Sequence, residues 1–432
     1  MTIKRPLNEE IIATHNAKHS AAIDADYAAL AAKLARVGIN IDAVKAKVAS
    51  FAVAIPSWGT ATGGTRFGRF PIPGEPTNVQ ERLTDCAVVQ QLCRVTPGVS
   101  THFPWDNTSD PAAMREEAES LGLYFDAVNS NTFQDQPGQA ETYKFGSLSA
   151  AAKASREQAI AHNIDCIEIG KKLGSKALTV WVGDGTNFPG QQSFRDSFDR
   201  YLDSSAAIYA ALPSDWLMLI EHKFFEPAFY STVIADWGVN LMAANALGAK
   251  ARCLVDLGHH APNVNVEQIV SMLDRVGKLG GFHFNDSKYG DDDLDAGAIN
   301  PHRLFLIFNE LVEAELRAPK EFAPAYMIDE SHNLTDPAES LLSAAEAIVC
   351  AYARALLVDR VALKAHRESN DVLMAFKTLR AAYNIDVSPL VAKARVDAGG
   401  AADPVAALRE SGWRKAKAAE RKSEVNKAAG II

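Results

Sequence analysis

The sequence His283-Phe-Asn-Asp-Ser-Lys-Tyr-Gly-Asp-Asp-Asp-Leu-Asp295 contains one histidine and five aspartates directly after an apolar, strand-like run. Three other apolar runs end in a similar side chain, namely Glu221, Asp256 and Asp329. Surface loops seldom need so many carboxylates together, whereas divalent cations are bound by several oxygen ligands and an occasional imidazole. Four consecutive strands that each end in such a group therefore predict a site for a divalent cation.

Apolar runs of strand length alternate with longer amphipathic stretches along the chain. The predicted helices include 85–95, 112–121, 151–173 and 265–279, and the eight predicted strands are 51–55, 99–103, 125–128, 177–182, 216–221, 252–257, 281–285 and 326–329. Uninterrupted hydrophobic strands between helices indicate a parallel sheet covered on both faces. Eight such units predict an α/β protein with a closed (β/α)8 TIM barrel. A doubly wound open sheet is the alternative, but no glycine-rich phosphate loop follows the first strand.

The ends of the chain lack strand signals and are helical in pattern. We predict N-terminal helices over residues 1–50, broken near Gly38, and a catalytic barrel over residues 51–336. Residues 337–432 predict a C-terminal helical extension that caps the barrel or wraps a neighbouring subunit.

Composition excludes several classes of partner. The net charge of −9 argues against nucleic acid as a ligand, because a nucleic-acid-binding surface is basic. No signal-peptide core and no apolar run long enough to span a bilayer occur, so no membrane association is expected. The five cysteines are scattered and none has Cys-x-x-Cys spacing, which predicts a reduced, cytoplasmic protein.

The active site of a β/α barrel lies at the carboxyl ends of its strands. This rule brings Glu221, Asp256, His283 and Asp329 together as ligands of a divalent cation such as Mn²⁺ or Mg²⁺. The alternative is that each is an ordinary polar residue at a strand end.

A second cation site beside the first is predicted from residues that follow these strands. Its ligands would be His259, Asp291 and Asp293, with Glu221 shared between the two sites. Asp292 should point away from this site, and a solvated acidic turn is the alternative for all three aspartates.

Aromatic side chains follow the first four strands and are candidates for a substrate wall. Aromatic rings stack on the C–H faces of a sugar while polar groups bind its hydroxyls. Lys223 lies two residues after Glu221 and would share its face of an extended strand. Core packing is the alternative for each ring, and a solvated side chain is the alternative for Lys223. The proposed wall contains Trp58, His102, Trp105, Phe133 and Trp181.

Several of these motifs resemble those of the bacterial L-rhamnose isomerases of broad specificity. They are Pro56-Ser-Trp-Gly, Ser175-Lys-Ala-Leu-Thr-Val-Trp181, and the stretches 254–262 and 281–295, and the resemblance extends over nearly the whole chain. It implies a homotetrameric β/α barrel that interconverts L-rhamnose and L-rhamnulose, and other aldoses such as D-allose. It also implies two divalent metal ions per subunit, Mn²⁺ in the first place, with Co²⁺ or Mg²⁺ as alternatives.

The resemblance assigns roles to individual residues. One ion would be structural, held by Glu221, Asp256, His283 and Asp329, and the other catalytic, held by Glu221, His259, Asp291 and Asp293. Lys223 would contact a substrate oxygen and His102 the region of the ring oxygen. The substrate pocket would be lined by Trp58, Trp105, Phe133, Trp181 and Ser331, and Phe67 would reach it from the neighbouring subunit.

The hydrogen transfer between C1 and C2 has two chemical routes. A base removes the C2 proton to give an enediol, or cations that polarise O1 and O2 allow a direct hydride shift. We favour the hydride shift, with Asp329 moving the proton between O2 and O1. A metal-dependent phosphoesterase and a non-catalytic sugar-binding barrel are the rival functions.

Overall fold

In the computed structural model, which describes residues 3–63 and 69–421, eight strands form one parallel sheet. Each strand pairs with the next one along the chain. The strands are β1 (Ile55–Pro56), β2 (Gly98–Phe103), β3 (Tyr124–Ser130), β4 (Ala177–Val180), β5 (Leu217–Glu221), β6 (Ala251–Asp256), β7 (Leu279–Phe284) and β8 (Ala325–Ile328).

The sheet closes between its last strand and the residue before its first. The Ala54 N–H donates to the Tyr326 carbonyl at 2.7 Å, and the Ile328 N–H donates to the Ala54 carbonyl at 2.9 Å. These bonds confirm the barrel and exclude the open sheet. The first strand is shorter than the predicted 51–55, because only residues 55 and 56 pair regularly with β2.

Helices cover the outside of the barrel and continue beyond it. They are α1 (Glu9–Ala35), α2 (Ile41–Ser50), α3 (Val79–Cys93), α4 (Pro111–Ser120), α5 (Lys153–Leu173), α6 (Phe194–Ala211), α7 (Trp237–Leu247), α8 (Val266–Arg275), α9 (Pro301–Arg317), α10 (Pro337–Leu356), α11 (Arg360–Glu368), α12 (Val372–Tyr383), α13 (Ser388–Asp397), α14 (Pro404–Ser411) and α15 (Trp413–Glu420). The predicted break near Gly38 is confirmed.

Local residues explain why two helices differ from their predicted bounds. Helix α3 begins six residues early because the Asn78 side chain accepts the Glu81 N–H and caps it. Helix α8 ends at Arg275, before the predicted 279, since Gly277 turns the chain with a φ of 68°.

Packing joins the two ends of the chain to each other. Helix α1 packs on α13 and α14, and the Asn16 amide donates to the Gly400 carbonyl at 2.8 Å.

No single helix of the described chain is long and apolar enough to cross a bilayer; α10 and α11 meet that length and composition only as a pair, with a bend of 64° between them. The division into three segments at residues 50 and 336 stays a prediction.

Candidate active site

A cavity of about 270 Å³ opens at the carboxyl ends of the barrel strands. Side chains alternate between the faces of a strand, so Glu221 shares the inner face of β5 with the buried Leu219, and Asp256 that of β6 with Leu254. The buried leucines thus fix the positions of the two carboxylates at the ends of the same strands. The cavity is lined by Trp58, His102, Trp105, Asn129, Ser130, Phe133, Thr179, Trp181, Glu221, Lys223, His259, His283, Asp291, Asp293, Asp329 and Ser331.

The four strand-end residues form the first candidate ligand group. One ligand atom from each of Glu221, Asp256, His283 and Asp329 lies within 4.8 Å of the others. The Nδ1 atom of His283 lies 3.1 Å from Glu221 Oε1, 3.2 Å from Asp329 Oδ2 and 3.6 Å from Asp256 Oδ2. Three carboxylates thus face one nitrogen, which carries at most one proton. Such a buried set of negative charges fits a divalent cation.

The pKa values of this group reflect the same crowding of charge. Burial acts to lower the pKa of His283, but Glu221 and hydrogen bonds to Asp256 and Asp329 raise it well above its usual range. Burial acts to raise the pKa of Glu221, and the charges and hydrogen bonds of His283 and His259 lower it instead. The site therefore stabilises positive charge at this point.

The second candidate group lies beside the first and shares Asp256 with it. Ligand atoms of Asp256, His259 and Asp291 lie within 4.8 Å of one another. His259 Nδ1 is 3.2 Å from Glu221 Oε1, and its Nε2 is 3.3 Å from Asp291 Oδ1. Glu221 therefore contacts the histidines of both groups.

Asp293 lies in the same cavity but in neither group. Its Oδ2 accepts a hydrogen bond from the Ser331 hydroxyl at 3.2 Å. Burial, followed by the charges of Asp291, Asp329 and Asp256, raises its pKa well above the usual range. Its carboxyl group is therefore protonated more readily than that of an exposed aspartate.

The Lys223 ammonium contacts Asp291 of the second candidate ligand group. Its Nζ lies 2.5 Å from Asp291 Oδ2 and 3.5 Å from Glu226 Oε2, and it sits 5.2 Å from the centre of a Trp181 ring. Burial alone would lower the pKa of Lys223, but Asp291 raises it. The side chain is therefore a fixed cation at the edge of the cavity.

An aromatic wall faces the carboxylates. The His102 and Trp105 rings stack with centroids 3.9 Å apart, and Trp58 meets His102 edge-on at 5.4 Å. Phe133 contacts Trp181 at 4.5 Å. Burial lowers the pKa of His102 to about 3, with a smaller contribution from His162, so its imidazole is neutral at physiological pH. A neutral ring can donate or accept a hydrogen bond from a hydroxyl group.

Three further residues line the cavity that were not predicted from the sequence. They are Asn129 and Ser130 at the end of β3, and Thr179 within β4. The Ser130 and Thr179 hydroxyls are buried without a hydrogen-bond partner in the described chain. Applying the strand-end rule to polar as well as charged residues would have found the first two.

The remaining acidic residues of the 283–295 stretch lie elsewhere. Asp286 accepts the N–H groups of Ile299 and Asn300 at the start of α9. Asp292 accepts those of Lys288 and Tyr289, so it points away from the cavity as predicted. Phe67 lies outside the described residues.

No protein-family model matches the chain. Over 426 residues it is 60% identical to a protein of Rhizobium meliloti (strain 1021) named "Probable sugar isomerase", covering 99% of both chains. A protein of the same description from Mesorhizobium japonicum is 58% identical over 426 residues, again with 99% of both covered.

Among solved structures, an L-ribulose 3-epimerase is similar with a TM-score of 0.50 and 16% identity, covering 72% of this chain and 98% of that one. This likeness supports the barrel fold. The two close sequence relatives cover almost the full chain, and at their identity a common family is shown. The chain belongs to the family of these probable sugar isomerases.

Proposed function

We propose that the protein is a metal-dependent aldose–ketose isomerase that interconverts L-rhamnose and L-rhamnulose and also accepts other aldoses such as D-allose. The observation that carries the proposal is one cavity with two carboxylate–imidazole groups on one side and an aromatic wall on the other. The family supports sugar isomerisation, and the resemblance of the 281–295 stretch supports the choice of sugar.

The donor set fits two divalent cations. Glu221, Asp256, His283 and Asp329 would hold one, and His259 and Asp291 the other, with Glu221 or Asp256 shared and Asp293 as a further predicted ligand. Imidazole beside carboxylate favours Mn²⁺ or Co²⁺ over Ca²⁺. When bound, the cations act as Lewis acids that stabilise negative charge on the sugar oxygens.

The aromatic wall and the unpartnered polar atoms suit the rest of a sugar. Trp58, Trp105 and Phe133 line the cavity, and aromatic rings of this kind pack against the C–H groups of a sugar. The Thr179 hydroxyl and the Trp181 Nε1 are buried without a partner in the described chain, so a sugar hydroxyl would satisfy them.

Residues of this chain would then handle the protons. The Lys223 ammonium stabilises a substrate oxygen, and Asp291, at 2.5 Å, holds it in place. Asp329 keeps 27% of its side chain exposed at the cavity and moves a proton between O2 and O1. A direct hydride shift from C2 to C1 needs no further base. An enediol route would need one, for which Asp293, outside both groups, is the candidate.

Metal reconstitution tests the proposed reaction. The chelator-stripped protein should not convert L-rhamnose, and Mn²⁺, Co²⁺, Mg²⁺ or Zn²⁺ should restore conversion to different degrees. Asp291→Asn should abolish activity, whereas the neighbouring Asp292→Asn should retain it, because within the described chain the Asp292 carboxylate accepts hydrogen bonds from backbone N–H groups only. Full activity without metal contradicts the proposal. A protein that only epimerises ketoses at C3 contradicts it as well.

Deuterium labelling separates the two routes. With C2-deuterated L-rhamnose, a hydride shift carries the label to C1 of the ketose. An enediol exchanges it with solvent, and mass spectrometry of the product measures the fraction retained. Loss of most of the label overturns the hydride shift while leaving the isomerase assignment intact.

We also propose a homotetramer in which Phe67 of one subunit closes the cavity of another. Light scattering tests the assembly. Replacing Phe67 with a polar residue should change sugar selectivity without changing metal content. A fully active monomer contradicts the contribution across subunits.

A further inference from the structure

A third cluster of ligand-type side chains lies outside the substrate cavity. Asp295, Glu330 and His332 each offer one ligand atom, and these atoms lie within 4.8 Å of one another. None of the three lines the cavity described above. Glu330 follows Asp329 directly, and the two neighbouring carboxylates belong to different clusters.

Two buried atoms in this cluster have no hydrogen-bond partner among the described residues. Glu330 and His332 are only 1% and 2% exposed. Glu330 Oε1 accepts the Ala296 N–H at 2.8 Å, but its Oε2 and the His332 Nε2 are both unpartnered within the described chain. An unsatisfied buried polar atom is costly, so each requires an explanation.

The geometry of the two atoms points to a shared cation. Glu330 Oε2 and His332 Nε2 face each other at 3.8 Å, which is too long for a hydrogen bond. Ligand atoms of one ion, with bonds of about 2.1 Å, lie roughly 3 to 4.2 Å apart. Asp295 Oδ1 lies 3.4 Å from the other ring nitrogen, Nδ1. Contact with a carboxylate at that nitrogen orients a metal-binding histidine.

The local charge also calls for a cation. In the described chain, the ion pairs of Asp295 and Glu330 are with His332 alone. Asp286, which pairs with Arg303, and Asp329 add negative charge nearby. The side chain of Asp295 is 30% exposed, which leaves a route for an ion and its water ligands.

We propose that Glu330 Oε2 and His332 Nε2 bind a divalent cation of the Mn²⁺, Co²⁺ or Zn²⁺ class, in addition to any held in the substrate cavity, and that Asp295 orients His332 from its Nδ1 side. Through Asp295 the site would join the loop after β7 to the loop after β8, which carries Glu330 and His332. The Ser331 N–H already donates to the Asp293 carbonyl at 3.0 Å between the same loops. The ion therefore positions ligands of the cavity and takes no part in the chemistry.

Measurement of the number of Mn²⁺ ions bound per chain, together with crystallography, tests this site. Full-length protein, stripped and dialysed against Mn²⁺, is compared with Glu330→Gln and His332→Gln by mass spectrometry of the bound metal. Each variant should bind one Mn²⁺ fewer per chain than the unaltered protein. Glu330→Gln keeps an acceptor for the Ala296 N–H, which makes it the more conservative change.

Anomalous diffraction at the manganese edge gives an answer even if a variant does not fold. A peak between His332 Nε2 and Glu330 Oε2 in crystals of the unaltered protein is expected. Absence of that peak, or variants that bind as many ions as the unaltered protein, overturns the site and leaves a histidine–carboxylate contact only. Neither readout depends on sugar turnover, so failure of this cation site can be distinguished from failure of the isomerase proposal.

Discussion

Replacing His283 with alanine should destabilise the barrel and remove the stabilisation that a divalent cation provides. His283 is 3% exposed, and its Nδ1 contacts three carboxylates at 3.1 to 3.6 Å. Without the imidazole, these carboxylates repel one another in a buried site. Removing one partner of a buried charged group costs roughly 3–5 kcal/mol.

The expected shift in melting temperature follows from the length of the chain. An unfolding entropy of about 2.1 cal/mol/K per residue gives ~0.9 kcal/mol/K for 432 residues. The metal-free variant should therefore melt ~3–6 °C below the unaltered protein. Mn²⁺ at 100 times its dissociation constant adds about 2.7 kcal/mol, or ~3 °C, to the unaltered protein. The variant should gain much less from Mn²⁺.

Asp293→Asn is the matched control for the metal-free melts, since Asp293 is itself a predicted cation ligand. Burial and three neighbouring carboxylates make the charge of Asp293 unfavourable, so the neutral amide should not lower stability. Asparagine also tolerates the left-handed backbone of this position, where φ is 50°. Circular dichroism melts with chelator and with Mn²⁺ give the measurement. If His283→Ala melts within 1 °C of the unaltered protein under both conditions, the reasoning is wrong.

Three further predictions concern single side chains. Lys223→Met should lower kcat/KM by ~100-fold or more in a sugar isomerisation assay, because a fixed charge beside the reacting oxygens is lost. Thr179→Val should raise KM for aldoses roughly fivefold, the cost of about 1 kcal/mol for one hydrogen bond. Burial raises the pKa of Asp126 to about 6. The folded form thus binds its proton more tightly than the unfolded chain, and stability falls as pH rises through 6. Asp126→Asn should then raise the melting temperature at pH 7.5, by an amount that shrinks toward pH 4.

The fold was predictable because each buried parallel strand corresponds to an uninterrupted apolar run in the sequence. Their apolar runs face helices on one side and the barrel interior on the other, so neither face is polar except at the carboxyl end. Strand β3 shows the limit of this pattern. Its predicted end at 128 precedes Asn129 and Ser130, which belong to the strand but face the cavity with polar side chains. They were missed because a polar pair after an apolar run is typical of a loop.

The candidate ligands were predictable on strands and less so on loops. Alternation along β5 fixes Glu221 above Leu219, whatever the loops do. The loop after β7 has no such rule, and only one of its two predicted ligands, Asp291, lies in a ligand group. Asp293 turns with positive φ toward Ser331, a contact between two loops that no spacing in the sequence indicates. Asp293 stays a predicted ligand.

Buried carboxylates are informative about function because they oppose folding. Glu221 and Asp256 are 5% and 1% exposed, and each would be less costly at these positions if it were apolar, like Leu219 and Leu254 below them. His283 and His259 offset part of that cost, but each histidine carries at most one positive charge and is faced by several carboxylates. A packed barrel has no structural need for such a layer. Its presence at the carboxyl end of the strands is explained if a bound divalent cation stabilises it, and the same argument applies to Glu330.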